Sequence, residues 1–283
     1  MKFLITGAKG QLGYDLIKEL EKRGYNDILA TDTDNMDITN KEQTIKVIKE
    51  YDPDVIFHCA AYTAVDKAED EEQKAYQINQ LGTKNIVESI KNPKTKLVYI
   101  STDYVFSGDD IGIYEPDSLP NPQNVYGKSK YAGEEEVLKY PKHFIVRISW
   151  VFGKNGKNFI KTMLNLADTH QEVNVVADQI GSPTYTKDLS FFLVDLALSS
   201  KYGTYHATNE GFCSWADLAE YTFLNAHKKV KVNRILSKDY PQRAKRPKNS
   251  KMSKEKLVKN GFAKLPTWQD AVDRYLKELE SEL

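Results

Sequence analysis

The chain is poor in cysteine, with only Cys59 and Cys213 among its 283 residues. Two thiols close at most one bridge, and neither lies in a Cys-x-x-Cys motif or in a Cys/His cluster with metal-ligand spacing. A disulfide framework and a cysteine-rich metal site are therefore excluded. Such sparse use of cysteine is typical of proteins in a reducing compartment, so we expect a cytoplasmic protein.

Long hydrophobic runs and net charge are also lacking. The apolar run Phe3 to Ile5 is too short for a signal-peptide core. No stretch approaches the roughly 20 apolar residues that a membrane span needs. Forty basic residues balance forty acidic ones, so no overall field attracts the chain to nucleic acid or to an anionic membrane. The composition predicts a folded protein that binds neither nucleic acid nor a membrane. Any anion-binding site must be local.

The first half alternates short β-branched or aromatic runs with longer segments of helical period. This alternation predicts an α/β fold, a doubly wound parallel sheet of Rossmann type. We predict strands over 2–6, 27–31, 54–59, 96–101 and 143–149, and helices over 11–23, 41–51, 71–91 and 125–139. After residue 150 the pattern is less regular and predicts a helix over 159–168, a strand over 173–176, and helices over 187–199, from Ser214 onward and over 268–279.

A glycine-rich loop, Gly7-Ala8-Lys9-Gly10-Gln11-Leu12-Gly13, joins the first predicted strand to the first helix. Glycine lets the backbone approach a pyrophosphate, whose charge is met by N–H groups at the helix N-terminus. The spacing differs from the usual Gly-x-Gly-x-x-Gly, and a simple strand-to-helix turn is the alternative. Its place at the first strand–helix junction favours dinucleotide binding. We therefore assign residues 1–150 to an NAD(P)-binding domain and 151–283 mainly to a smaller substrate-binding lobe, interleaved with late elements of the sheet.

An acidic residue, Asp32, closes the second predicted strand 19 residues after Gly13. A carboxylate there accepts hydrogen bonds from ribose hydroxyls and favours NADH over NADPH. The alternative is that Asp32 is only a turn residue, so both cofactors stay open. Asp37 and Ile38, in a later turn, are placed to flank the adenine, although a helix cap at Thr39 or Asn40 explains that stretch equally well.

Tyr126 and Lys130 stand one helical turn apart in the same predicted helix. A neighbouring ammonium favours the phenolate and lowers a tyrosine pKa, which suits proton transfer, and the lysine can also hold a nicotinamide ribose. The same spacing recurs at Tyr14 and Lys18. That second pair lies in the first helix, away from the carboxyl strand ends where ligands bind in open α/β sheets.

A third candidate, Thr102, lies at the carboxyl end of the fourth predicted strand, in the run Ser-Thr-Asp-Tyr. A hydroxyl there can hydrogen-bond a substrate carbonyl and stabilise oxyanion character. Capping of the strand end is the alternative. Together with the loop and the Tyr126/Lys130 pair, Thr102 predicts one active site.

These features resemble the extended short-chain dehydrogenase/reductase superfamily, and almost the whole chain is similar to the dTDP-4-dehydrorhamnose reductase family. The matching runs are Gly7–Gly13, Cys59–Glu69, Ser101–Phe106, Asn124–Lys130, Arg147–Trp150, Asn158–Phe159, Asp178–Thr184 and Arg246–Ser250.

The resemblance implies two sets of binding residues. Those along the cofactor are Gly7, Gly10, Gln11, Leu12, Gly13, Asp32, Asp37, Ile38, Ala60, Ala61, Tyr62, Tyr126 and Lys130. Those at the substrate are Thr102, Asp103, Tyr104, Trp150, Asn158 and Arg246, although a tryptophan just past a strand is often part of a core. The resemblance also allows a homodimer and a magnesium ion, but no stretch identifies the ligands of such an ion, and we assign no metal ligand.

The implied reaction is reduction of the C4 ketone of dTDP-4-dehydro-6-deoxy-L-mannose by NADH or NADPH to give dTDP-L-rhamnose, a nucleotide sugar for cell-wall polysaccharide. Another sugar-nucleotide 4-ketoreductase, of the 6-deoxytalose type, is an alternative, and so is a non-catalytic NAD(P)-binding regulatory subunit. A dehydratase is disfavoured. The resemblance implies that such enzymes have Thr-Asp-Glu at positions 102–104, with the glutamate as base, and this chain has Tyr104 in place of that carboxylate. An epimerase would retain its NAD through purification.

Overall fold

The computed structural model of the protein describes residues 1–281. Its centre is a six-stranded, all-parallel sheet with the order β10-β5-β4-β3-β1-β2. The strands of this sheet are β1 (Phe3–Thr6), β2 (Ile28–Thr31), β3 (Val55–His58), β4 (Lys96–Thr102), β5 (His143–Ile148) and β10 (Gly203–His206). The predicted fold class is confirmed.

Helices cover both faces of this sheet. Those of the first half are α1 (Gln11–Lys22), α2 (Lys41–Tyr51), α3 (Val65–Ala68), α4 (Glu72–Tyr76), α5 (Thr83–Ser89) and α6 (Val125–Val137). A π-helix spans Gln77–Gly82, and a 3₁₀ turn spans Asp103–Val105.

The two faces of the sheet follow from the alternation of side chains along each strand. Phe3 and Ile5 pack with α1 and with α8 (Thr186–Leu198) in one buried cluster. Leu4 lies in a second cluster with residues of α2, α5 and α6. Because both faces are covered, the strands read as continuous apolar runs.

The second lobe is built around a parallel pair, β7 (Glu172–Val176) and β12 (Lys231–Ile235). The helices of this lobe are α7 (Phe159–Ala167), α9 (Trp215–Asn225), α10 (Glu255–Lys259) and α11 (Trp268–Glu280), and a 3₁₀ turn spans Ser237–Asp239. Short strands connect it to the sheet: β6 (Val151–Phe152) with β9 (Thr184–Tyr185), and β8 (Ile180–Gly181) with β11 (Cys213–Ser214).

Two predictions from the periodicity need correction. The helix expected over 71–91 spans 72–89 and contains the π-helix Gln77–Gly82, within which the side chain of Asn79 bonds Tyr62 N, Tyr62 O and Ser129 Oγ. The strand β10 was not predicted. It is four residues long, lies after residue 150 in the chain and pairs with β5. Local sequence does not encode such a long-range pairing.

The strand order reverses between β1 and β3, which opens a crevice at the carboxyl edge of the sheet. Ligands of open α/β sheets bind in this crevice. The glycine loop after β1 and the segment after β3 meet there, since a Cβ placed on Gly7 would lie 2.8 Å from Ala60 N.

Candidate active site

A cleft of about 830 Å³ runs along this edge and contains most of the predicted site residues. The predicted residues that line it are Gly7, Gly10, Gln11, Leu12, Gly13, Asp32, Asp37, Ile38, Ala60, Ala61, Thr102, Asp103, Tyr104, Tyr126, Lys130 and Trp150. The fold therefore brings the predicted dinucleotide half and the predicted chemical half of the site together.

The glycine loop is shaped for close backbone approach. Gly7 has a φ of +66°, in the left-handed region that glycine adopts without strain. A Cβ on Gly13 would collide with the carbonyl oxygen of Gly7. Gly10 caps α1 without a side-chain hydrogen bond, so the N–H groups of the first turn can bind an anion.

Asp32 follows β2 beside this loop. Its Oδ2 accepts the N–H of Lys9 at 3.1 Å and its Oδ1 accepts the N–H of Thr33 at 2.8 Å. The ammonium of Lys9 is paired with Asp34 at 2.9 Å, and both side chains are exposed. The carboxylate is thus held at the rim of the cleft with a cation next to it.

The adjoining turn carries Asp37 and Ile38. Asp37 Oδ1 accepts the N–H and the hydroxyl of Thr39 at 2.9 and 2.8 Å. Ile38 is buried against Gly82, where an added Cβ would be 2.7 Å from its side chain. The helix cap is Asn40, whose side chain accepts the N–H of Gln43, and Asp37 and Ile38 line the cleft.

Tyr126 is positioned by the start of α6. Asn124 caps this helix, its Oδ1 accepting the Gly127 N–H at 2.7 Å. Gly127 packs so tightly that a Cβ would collide with the carbonyl oxygen of Tyr104. The first turn of α6 therefore rests on the turn after β4, and the rings of Tyr126 and Tyr104 meet edge to face at 5.4 Å.

Lys130 is buried, and its ammonium donates to the carbonyl oxygen of Ile100 at 2.6 Å, above the ring of Tyr99 at 4.1 Å. Burial lowers the pKa of Lys130 to about 7, while Glu134 acts in the opposite direction. The pair Tyr14/Lys18 lies elsewhere: Lys18 is exposed and pairs with Glu21.

The expectation that Lys130 lowers the pKa of Tyr126 is wrong for the cleft as it stands. Burial raises the pKa of Tyr126 to about 12, with the hydroxyl of Thr102 lowering it and Asp103 raising it. The phenol is therefore neutral at physiological pH. This protonation state suits a proton donor.

Thr102, the last residue of β4, is bonded within its own turn. Its hydroxyl donates to Asp103 Oδ1 at 2.9 Å and accepts the N–H of Tyr104 at 3.2 Å. The other oxygen of Asp103 accepts the hydroxyl of Ser250 at 2.5 Å. Burial raises the pKa of Asp103 to about 6, although these hydrogen bonds work against the rise.

A buried ion pair lies behind the site. Arg147 on β5 contacts Glu134 on α6 through Nε at 2.9 Å and Nη2 at 2.7 Å. Ser101 donates to the same carboxylate at 2.5 Å. These contacts tie β4, β5 and α6 together directly beneath Thr102.

Trp150 forms a wall of the cleft rather than part of the sheet core. Its φ is +50°, a backbone conformation that is costly for a tryptophan. Its ring stacks on Trp215 at 3.8 Å, and Gly181 leaves the necessary space, since a Cβ there would be 2.9 Å from the indole. Trp215 lines the cleft as well, but it carries no motif that sequence reasoning could detect.

Three predicted residues lie outside the cleft lining. Tyr62 turns away, its hydroxyl bonded to Glu71 at 2.8 Å. Asn158 caps α7 and reaches the side chain of Gln11 at 3.1 Å. Arg246 is held by Asp66 in a two-pronged ion pair at 3.1 and 2.7 Å.

Other lining residues were not predicted, including Cys59, Thr63, Lys74 and Gln77. Cys59 follows β3 directly and Thr63 lies in the same segment, so the predicted pair Ala60 and Ala61 between them could have signalled both. Lys74 and Gln77 reach the cleft from the helix predicted over 71–91, and its periodicity did not reveal which residues face the cleft. Burial raises the pKa of the free Cys59 thiol to about 12.

Within residues 1–281, no three His, Cys, Asp or Glu side chains are grouped to hold a metal ion. In the same part of the chain, no helix has the length and apolar character that crossing a membrane requires.

Comparison with known proteins identifies the relatives of this chain. A family model described as the RmlD substrate binding domain matches residues 1–281. A dTDP-4-dehydrorhamnose reductase of Aggregatibacter actinomycetemcomitans is 42% identical over 285 residues, which cover 96% of this chain and 97% of that protein.

Solved structures agree with this relationship. A Bacillus anthracis dTDP-4-dehydrorhamnose reductase in complex with NADP has a TM-score of 0.95 and 46% identity, covering 98% of this chain and 100% of the other. An orthologue from Clostridium acetobutylicum has a TM-score of 0.96 and 40% identity, covering 99% and 100%. This chain therefore belongs to the RmlD substrate binding domain family, the family of the dTDP-4-dehydrorhamnose reductases.

Proposed function

We propose that this protein reduces the C4 ketone of dTDP-4-dehydro-6-deoxy-L-mannose with NADH or NADPH and releases dTDP-L-rhamnose. The observation that carries the proposal is the single cleft that joins the glycine loop to Thr102, Tyr126 and Lys130. Relatives that bear the name dTDP-4-dehydrorhamnose reductase, and that align with nearly the whole chain, support the choice of substrate.

The cleft fits a nicotinamide dinucleotide. The start of α1, which has no side-chain cap, forms a cradle for a pyrophosphate, and the missing Cβ of Gly13 lets the loop backbone pack against it. Asp32 would receive the adenosine ribose, and Asp37 and Ile38 would flank the adenine. A cofactor bound there supplies a hydride to C4 of the sugar. We assign this role to residues 1–150.

Three side chains would carry the remaining chemistry. Tyr126 would protonate the oxygen at C4, since its neutral phenol holds the proton that the new hydroxyl requires. The substrate oxygen would compete with Asp103 for the hydroxyl proton of Thr102. An ammonium has three donors, so Lys130 can hold the Ile100 carbonyl and still donate to a ribose hydroxyl.

The second lobe would supply the sugar-nucleotide site. The stacked Trp150 and Trp215 would wall the sugar on the side facing the lobe. Arg246, fixed by Asp66 and lying near Tyr104, would meet the nucleotide diphosphate. We assign this role mainly to residues 151–283.

Both reduced cofactors are proposed substrates, with Asp32 favouring NADH. Its carboxylate would accept ribose hydroxyls and would repel a 2′-phosphate. Lys9, next to Asp32 and Asp34, moderates that repulsion. A related structure holds NADP, which supports acceptance of the phosphorylated cofactor.

The direct test supplies the purified protein with dTDP-4-dehydro-6-deoxy-L-mannose and with NADH or NADPH in separate reactions. We expect one equivalent of reduced cofactor to be consumed per sugar, and NMR to identify dTDP-L-rhamnose. A 6-deoxytalose product would instead identify a 4-ketoreductase of the 6-deoxytalose type. Absence of cofactor oxidation, together with a stable protein partner, would favour a regulatory subunit.

The cradle itself can be tested with Gly13→Ala. The added methyl group meets the Gly7 backbone, so either the loop shifts or α1 does. Overpacking of this kind costs about 1–3 kcal/mol, and we expect cofactor affinity to fall about tenfold or more, measured by calorimetric titration. Gly112→Ala is the matched control, because no atom lies within 4 Å of its Cβ position. Equal affinity of both variants for the cofactor would refute the assigned cradle.

A further inference from the structure

We propose that Ser250 is a positioning residue: its hydroxyl holds the carboxylate of Asp103 so that the second oxygen orients the hydroxyl of Thr102 in the active site. This inference rests on the proposed reduction, and it gives Ser250 a role within that reaction. Ser250 lies 147 residues from Asp103 in the chain, yet its Oγ donates to Asp103 Oδ2 at 2.5 Å.

The contact is buried and directional. Ser250 is 3% exposed and Asp103 is 2% exposed, so water does not substitute readily for either partner. The two oxygens of Asp103 are divided between two hydroxyls, with Oδ2 bonded to Ser250 and Oδ1 to Thr102. A carboxylate that accepts from both sides cannot rotate without breaking one of these bonds.

The backbone around Ser250 is fixed by its neighbours. Its N–H donates to Ile180 O at 2.7 Å, and Ile180 N donates in turn to Lys248 O at 2.8 Å. The side chain of Asn249 donates to the carbonyl oxygens of Asp110 and Gly112 at 2.6 and 2.7 Å. The segment is therefore anchored on both sides, and the Ser250 hydroxyl has a set direction.

This direction has a chemical consequence at Thr102. Held by Asp103, the Thr102 hydroxyl stays within reach of Tyr126, whose pKa it lowers, and of the place proposed for the substrate oxygen. If Ser250 is truncated, Asp103 loses the donor that fixes Oδ2 and keeps the hydroxyl of Thr102 and backbone N–H groups of its own turn. The acceptor that orients Thr102 is then held less firmly, although neither Thr102 nor Tyr126 has been changed.

Among the groups that lower the pKa of the Asp103 carboxyl, the hydroxyl of Ser250 acts most strongly. Tyr104 and Tyr126 are phenols whose pKa burial raises. Arg246 faces Tyr104 but is paired with Asp66. Lys130, on the same helix as Tyr126, is committed to Ile100 O.

Further charged groups lie on the neighbouring elements. On the segment of Ser250, the Lys251 ammonium donates to Ile111 O at 3.0 Å, and Lys248 precedes Ser250 by two residues. Beneath Ser101, Arg147 is neutralised by Glu134. A hydroxyl donor stabilises the ionised carboxylate, so its removal raises the pKa of Asp103 above its present value of about 6.

The test is the pH profile of kcat/KM for Ser250→Ala. A hydrogen bond to a charged group corresponds to about one to two pKa units. We expect the acid limb to move upward by that amount, because only ionised Asp103 accepts both hydroxyls and so positions Thr102, and in this variant Asp103 ionises only at higher pH. At pH 7 this predicts a loss of roughly two- to tenfold that recovers at higher pH, with the cofactor Kd unchanged.

A purely structural role predicts something different: an equal loss at every pH. Ser253→Ala is the matched control, since Ser253 is buried in the same segment but bonds Glu255 N rather than Asp103; its profile should stay in place. Ser250→Cys keeps the size of the side chain with a weaker donor, and should move the limb by an intermediate amount. An unmoved limb in both Ser250 variants refutes the proposal.

A second readout does not depend on the substrate. Infrared titration of the protonated carboxyl band, assigned by its loss in Asp103→Asn, should show a higher pKa for Asp103 in Ser250→Ala than in the parent protein. If the parent protein fails to reduce the sugar nucleotide while this shift occurs, the proposed function fails and the Ser250–Asp103 coupling stands. If the pKa does not move, the coupling is absent whatever the substrate.

Discussion

Tyr126→Phe is expected to reduce kcat about 10²- to 10⁴-fold, the usual contribution of a positioned general acid. The variant removes the phenolic proton that the C4 oxygen requires. Tyr126 touches Tyr104 and lies near Thr102, and phenylalanine fills the same space, so the fold should be kept. Single-turnover oxidation of NADH with saturating sugar nucleotide measures the effect, and calorimetry should show unchanged cofactor binding.

The chain contains its own control for this substitution. Tyr14 stands four residues before Lys18, as Tyr126 does before Lys130, but in α1 and away from the cleft. Tyr14→Phe should keep the parental kcat. Near-parental turnover by Tyr126→Phe would show that another group supplies the proton.

The second large effect is on stability, in Glu134→Ala. Its carboxylate accepts two hydrogen bonds from Arg147 and one from Ser101, and the side chains of Glu134 and Arg147 are 1% and 5% exposed. Removing one partner leaves a buried charge without compensation, which costs about 3–5 kcal/mol in free energy of unfolding. Urea unfolding should show a lower midpoint with an unchanged slope.

Glu88→Ala provides the comparison, because Glu88 forms a surface pair with Lys41 at 2.7 Å. Such pairs contribute about 0.2–1 kcal/mol. The double replacement Glu134→Leu with Arg147→Met should recover much of the loss, since it removes both buried charges. A loss below about 1 kcal/mol in Glu134→Ala would mean that water or another group compensates Arg147.

Local sequence predicted the first half of the fold well because the information there is local. The strands that begin at Phe3, Val55 and Lys96 are continuous apolar runs, and helices such as α1 repeat apolar residues at helical spacing. Each of these elements follows from its own residues. The π-helix left no signal in the periodicity, and the side chain of Asn79 within it bonds partners elsewhere in the chain, at Tyr62 and Ser129.

The second lobe was harder to predict because its strands pair with partners far away in the sequence. β10 is part of the sheet only because β5 offers an edge, and β12 pairs with β7 across some 55 residues of sequence. The two-residue strands β6, β8, β9 and β11 are too short to leave a periodic signal. Their bonds depend on loops that other elements hold in place.

The sequence by itself determined the chemistry available to this protein: a glycine loop between strand and helix, a Tyr-x-x-x-Lys pair, and a threonine at a strand end. These signals are short and lie in adjacent residues, so their meaning survives without coordinates. Only the tertiary structure decided which groups share one cleft and in which protonation state. It turned Tyr62 away, brought Trp215 to Trp150, and placed Ser250 on Asp103. Burial and long-range hydrogen bonds set the pKa values of Tyr126, Lys130 and Asp103, and both are properties of the packed chain rather than of any segment of it.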